Sequence, residues 1–241
     1  MPLILPYSGL IKAKPVASGV AAVNTEDPTD ASNDDARNLS SYSFSIEAGD
    51  GGLIAVGFVS GEANATNDLN VTSVTIDGQT ATVVEATALP AANGDTTCIA
   101  YAAGVSSGTV TVVVTYDDTA NDIQWTAWRI SGHTSSTPHD TLSVFEAGGT
   151  DSDVSGTIDI PGGGCCIALA NAEYTFNGDN GTWTGLTEDG SRAHTGSQFS
   201  AASASNMSAE TGRTITCTFD DNDGGVSSTG ADKMLVAISW G

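Results

Sequence analysis

Apolar and polar positions alternate in short runs along most of this chain, and no sustained 3.6-residue period suggests a helix. The clearest stretch, Val71 to Val84, reads Val-Thr-Ser-Val-Thr-Ile-Asp-Gly-Gln-Thr-Ala-Thr-Val-Val. Its two alternating runs flank Asp77-Gly78, a pair suited to the positive φ of a type I′ turn, and predict a β-hairpin. Tyr42, Phe44 and Ile46 alternate with serines, and Val110, Val112, Val114 and Tyr116 run among threonines. Ile215, Cys217 and Phe219 alternate with Thr214, Thr216 and Thr218, and Met234, Val236, Ile238 and Trp240 close the chain. Leu53 to Val59 is apolar throughout with Gly57 inside, as expected of a central strand covered on both faces.

Turns rich in Gly, Asn, Asp and Ser separate these runs. The pattern predicts an all-β fold, a two-sheet antiparallel sandwich of jelly-roll or Greek-key type with roughly ten to thirteen strands. Residues 41–241 read as the β-sandwich domain, and residues 1–40 as an extended N-terminal arm and acidic linker. The segment from Asp179 to Met207, dominated by Gly, Ser and Ala, reads as a long surface excursion. No internal repeat is legible, which argues against a propeller or solenoid.

Charge narrows the functional classes. The chain carries 29 acidic against 7 basic residues, a formal net charge of −22. Nucleic-acid binding needs clustered Lys and Arg to neutralise phosphates, so it is disfavoured, as is attachment to an anionic membrane. The balance suits high ionic strength, attraction of divalent cations, or plain solubility. Met1 to Pro6 is apolar but too short for a secretory leader and lacks a basic flank, and no run approaches the ~20 apolar residues of a membrane span. The expectation is a soluble protein made in a cytoplasm, with Cys98, Cys165, Cys166 and Cys217 reduced. Cys98 and Cys217 read as small buried hydrophobes, and the vicinal pair Cys165-Cys166 would point to opposite faces of a strand. No CxxC is present to suggest zinc.

Each candidate for chemistry has a plainer reading beside it. Gly104-Val-Ser-Ser-Gly108 matches G-x-S-x-G, but it joins two strand patterns with no helix behind it, so it reads as a hairpin turn rather than a nucleophile elbow. His133 and His139, with Asp140, lie in a loop whose spacing fixes no metal or acid–base geometry; His194 stands apart. Asp220-Asp-Asn-Asp-Gly-Gly225 lacks the alternating ligands and terminal Glu of an EF-hand. A looser calcium site there, at Asp151/Asp153 or at Asp117/Asp118, makes calcium the one cofactor to consider. Glu85, Glu146, Glu173 and Glu188 could supply a glycosidase pair only if the fold brought two of them face to face. Trp125 and Trp128, three apart, should face opposite sides of a strand. Trp183 is the candidate for a glycan-stacking platform, weighed against core packing.

Three segments together carry a resemblance: the hairpin Val74 to Val84; Thr97-Cys-Ile-Ala-Tyr101 followed by Gly108-Thr-Val-Thr-Val-Val-Val-Thr115; and Thr182-Trp-Thr-Gly-Leu-Thr-Glu-Asp189. They resemble the Gly/Ala/Thr/Ser-rich β-sandwich virion structural proteins of tailed, particularly marine, bacteriophages, over roughly residues 50–241. The resemblance implies a non-enzymatic structural protein of the virion, either a capsid decoration (cement or spike) protein or a tail-associated β module such as those of tail fibres. It supplies no catalytic residues. On this reading the partners are other virion proteins, such as the major capsid protein or tail proteins, and the chain forms a homo-oligomer, with a trimer expected by analogy. The arm would dock through Leu3, Ile4, Leu5, Tyr7, Lys12 and Lys14. The alternative is a carbohydrate-binding, lectin-like jelly roll using Trp183 and loop calcium.

Overall fold

The computed structural model describes residues 19–26, 34–35, 37–61, 69–87, 95–148, 152–173, 181–194, 197–219 and 232–241. All regular structure among them is β. The first half contains β1 (Ala21–Glu26), β2 (Asp34–Asp35), β3 (Leu39–Glu47), β4 (Gly52–Ser60) and β5 (Val71–Ile76). It continues with β6 (Gln79–Thr80), β7 (Thr82–Thr87), β8 (Thr96–Val105), β9 (Thr109–Ala120) and β10 (Ile123–Ser131). The second half contains β11 (Asp140–Glu146), β12 (Asp153–Ile160), β13 (Gly164–Glu173) and β14 (Gly181–Thr184). It ends with β15 (Thr187–His194), β16 (Ser197–Met207), β17 (Glu210–Phe219) and β18 (Lys233–Trp240).

These strands form four antiparallel sheets. In the first half, β3-β9-β5-β6 faces β1-β10-β4-β8-β7; in the second, β11-β18-β13-β16-β15 faces β12-β17-β14. Three apolar layers show how the sheets stack. Tyr42, Phe44, Val112 and Val114 of β3 and β9 pack against Ile54, Val56, Phe58 and Trp125 of β4 and β10. The opposite face of that inner sheet, with Leu53, Ala55 and Trp128, packs on Ile167, Leu169, Val236 and Ile238 of the second half. Behind these, Cys166, Ala168 and Leu235 meet Val154, Trp183, Ile215 and Phe219. The molecule is therefore two β-sandwiches placed back to back, and the two inner sheets form an apolar seam. Alternation along one strand feeds two layers at once, which is why Leu53–Val59 and Met234–Trp240 read as nearly unbroken apolar runs.

The two sandwiches share one strand order. Replacing β1, β10, β4, β8 and β7 by β11, β18, β13, β16 and β15 converts one inner sheet into the other, and β3-β9-β5 maps likewise onto β12-β17-β14. In the first half, the pairs β1 with β10, β3 with β9, β4 with β8 and β5 with β6 nest inside one another, as though one long hairpin had been rolled up. Even local detail repeats: Gly104 (φ 74°) and Asn206 (φ 52°) occupy the second-to-last position of the equivalent strands β8 and β16.

Several sequence expectations change. The predicted two-sheet sandwich occurs twice, and the repeat that the sequence hides is a repeat of connectivity: period-two alternation encodes burial but not identity. Residues 21–26, read as arm and linker, form an edge strand paired with β10. Asp179 to Met207 is not an excursion, since its described part contains β14, β15 and the central strand β16. Ala201 and Ala202 there are fully buried on opposite faces, because small side chains suit a strand covered closely on both sides. Residues 1–18 lie outside the described residues.

Candidate functional site

The antiparallel order of the inner sheets brings the end of β4 and the starts of β8 and β10 to one edge. The end of β13 and the start of β18 lie at the matching edge of the facing sheet. At this end the seam turns polar. Thr97 Oγ1 lies 3.7 Å from Met234 Sδ across it. Asp95, Gln124, Thr126, Asn171 and Asp232 are all buried. Gly61 closes the arrangement on the first sandwich. Its N–H donates to Asp122 Oδ1 at 3.2 Å, and a Cβ placed on it would lie 3.0 Å from Asp95 Oδ1 and 3.5 Å from Asp122 Oδ1. Two carboxylate oxygens thus lie against Gly61, where a Cβ would crowd Asp95.

The electrostatics follow from that crowding. Burial pushes the Asp95 carboxyl up to about 7, and the charge of Asp122 adds to the rise. The Asn171 carboxamide beside it partly offsets the shift, and Asp232 adds further repulsion. Asp232 accepts the Gly148 N–H at 2.6 Å through Oδ1, while its buried Oδ2 has no hydrogen-bond partner. Asn171 is fully buried, and its carboxamide leans on the Asp95 carboxyl at less than ideal hydrogen-bond geometry. Gln124 Oε1 is likewise unpaired. Buried polar groups are ordinarily satisfied, so this cluster stands out from the rest of the seam. Among the described residues, no three His, Cys, Asp or Glu side chains group as a metal centre would require.

The residues singled out from the sequence are placed elsewhere. Gly104 to Gly108 is the β8–β9 hairpin turn, with both glycines at positive φ and the Ser106 N–H bonded to Asp77 Oδ2 at 2.9 Å. Asp140 accepts the backbone N–H groups of Thr141 and Asp159, each at 2.8 Å, so its carboxylate ties the start of β11 to the end of β12. Asp117 binds the backbone and side chain of Asn70, both at 2.9 Å. Glu85 Oε1 accepts from Val71 N–H and Thr96 Oγ1, and Glu188 Oε1 from Ser191 Oγ. Glu85 stands on β7 and Glu188 on β15, each in local service. Asp151 and Asp220–Gly225 lie outside the described residues, as do the side chains of Glu173 and His194. The arm residues Leu3, Ile4, Leu5, Tyr7, Lys12 and Lys14 also lie outside them.

The aromatics turn inward. Trp125 and Trp128 face opposite sides of β10, as their spacing predicts, and each is buried in a different apolar layer. Trp183 is 9% exposed and packs between β14 and the inner sheet. Its indole N–H donates to Ser200 Oγ at 2.8 Å, the core-packing outcome rather than an open stacking face. The four cysteines are free and buried. Cys165 and Cys166 enter different layers, and burial raises all four thiols, Cys165 to about 12.

The polar seam cluster escaped the sequence reading because its members come from five separate strand ends. Two of them left a trace: Asn171 interrupts the apolar run Cys165 to Ala172, and Asp232-Lys233 opens another. Comparisons with family models, with curated proteins and with solved structures returned no match.

Proposed function

We propose that this chain is a non-enzymatic structural protein of a tailed-phage virion, a capsid decoration protein or a tail-associated module. One observation carries the reading. All four tryptophans are buried and all four cysteines are buried and free, so the residue types best suited to stacking or covalent chemistry serve packing instead. The surface left over is rich in Thr, Ser, Gly and acid, which suits a soluble, protease-resistant outer body. The nested strand pairing fits a jelly-roll winding, and the turn-and-strand motifs supply the virion setting by resemblance alone. The lectin-like alternative loses the stacking face it required of Trp183.

Residues 1–18 would dock this body on a neighbour, and many weak contacts on a lattice would make each one sufficient. Light scattering on the full chain and on residues 19–241 tests the docking role. The reading expects an oligomer from the full chain and a folded monomer after truncation. A truncated protein that still assembles, or that fails to fold, overturns the role given to the arm.

A further inference from the structure

We infer that the arm segment Pro15-Val16-Ala17-Ser18 fills a cavity on the second sandwich of its own chain, between the β14–β15 turn and the end of β16, and so sets where residues 1–14 leave the body.

The cavity has a volume of about 460 Å³, and its walls include Leu186, Ala204, Met207 and Arg213. It opens where β16 outruns β15. The last pair between those strands is Thr187 with Ser203, whereas β16 stays paired with β13 as far as Met207. The β15 side of residues 204–207 therefore has no ladder partner among the described residues, and such an edge accepts an extended peptide. The charge in the wall is already engaged: Arg213 Nε and Nη2 donate to Gly185 O at 3.1 and 2.9 Å, and Nη1 donates to Glu210 Oε2 at 2.7 Å. Such a wall suits an uncharged occupant with small side chains, which describes residues 15–18 and not the Lys12 to Lys14 stretch before them. The exit of the arm is an independent observation. Val20 N–H donates to Gly163 O at 2.7 Å, and Asn206 N–H donates to Val20 O at 3.1 Å. Gly19 lies so close to Asn206 that any Cβ would collide with the Asn206 side chain. Asn206, at φ 52°, also lines the cavity. The arm thus joins the body at the cavity wall, and four extended residues, which span at most about 14 Å, suffice to enter it. A tether this short gives an effective concentration on the order of millimolar, so weak contacts are enough.

Cysteine cross-linking in the full chain tests this, and it holds or fails independently of the virion reading, whose test is assembly. Ser208→Cys, at the cavity rim, is combined in turn with Ala13→Cys, Val16→Cys and Ala17→Cys. The four native thiols are buried, so mild oxidation is directed to the introduced pair. At least one of the three pairs should close within single chains roughly tenfold faster than Val16→Cys with Ser43→Cys, on the outer sheet of the first sandwich. Thr187→Trp, an exposed substitution that fills the cavity, should slow that closure by a similar factor. Closure no faster than the control for all three pairs would overturn the inference. Fast closure untouched by Thr187→Trp would also overturn it, because the arm would then pass the rim without entering. Cross-linked dimers in place of cross-linked monomers would give the cavity to the arm of a second copy and overturn the assignment to the same chain.

Discussion

The indole N–H of Trp128 donates a 2.7 Å hydrogen bond to Asp189 Oδ2, joining the first sandwich to β15 of the second. Asp189 Oδ1 accepts from Ser203 Oγ at 2.8 Å, so both carboxylate oxygens are used. Trp128 itself is fully buried in the seam. This latch explains how a large aromatic with a polar atom is accommodated between two otherwise apolar sheets.

Replacing Asp189 by Ala should strand the indole N–H and the Ser203 hydroxyl. The expected loss is about 1–3 kcal/mol, the usual cost of leaving a buried group unsatisfied. Asp189→Asn keeps an acceptor for Trp128 and should cost less. Urea unfolding of the three proteins measures the order, and equal midpoints would show that the latch contributes nothing.

Gly57 and Leu169 hold equivalent positions in β4 and β13 and meet across the seam. A Cβ on Gly57 would sit 2.9 Å from Trp128 Cζ3 and 3.2 Å from Leu169 Cδ2. Gly57→Ala should therefore destabilise by overpacking, by about 1–3 kcal/mol. Leu169→Ala in the same chain should recover part of that loss, a coupling that a double-mutant cycle reads directly. Purely additive losses would place the two residues out of contact.

Asp95 makes stability depend on pH in a defined direction. Its carboxyl is pushed from an ordinary 3.8 up to about 7 by burial and by Asp122, so between those values the folded chain holds a proton that the unfolded chain has released. The group's stabilising contribution is full at about pH 4 and below and is lost as pH rises through about 7. Asp122 and Asp232 face it, and Asn171 tempers it. The urea midpoint should therefore fall between about pH 5 and pH 8. Asp95→Asn should flatten that fall, and a slope unchanged by the substitution would assign it to other groups.

Much of this was legible in the residues. The hairpin at Asp77-Gly78 forms with both residues at positive φ, 53° and 72°, because only such a turn matches the strand twist. The opposed faces of Trp125 and Trp128, and of Cys165 and Cys166, follow from a period of two. What the residues did not reveal is which layer each face joins. An apolar run such as Leu53–Val59 says that both faces are covered, not that one cover is a second sandwich. The shared winding left no trace either: Gly57 stands where Leu169 stands, because complementary surfaces at a seam need different side chains at equivalent places. Asp95, Asp122 and Asn171 stand at separate strand ends, so nothing in their local sequence brings Asp122 and Asn171 to the Asp95 carboxyl.

Burial also predicts the behaviour of the thiols. Cys98, Cys165, Cys166 and Cys217 are all enclosed with raised pKa values, so the reactive thiolate is scarce at neutral pH. A disulfide-exchange reagent should label none of them in the native protein within minutes and all four in denaturant. Fast native labelling of any one would show that its layer opens readily.

The most direct test of the virion reading is immunoelectron microscopy of purified tailed-phage particles, using antibody raised against the folded chain, on the phage whose genome encodes it. Regular labelling of the head or tail, with the chain present in the purified particles at many copies, is the predicted result. Unlabelled particles, with the chain left entirely in the soluble fraction of the lysed host, would contradict it.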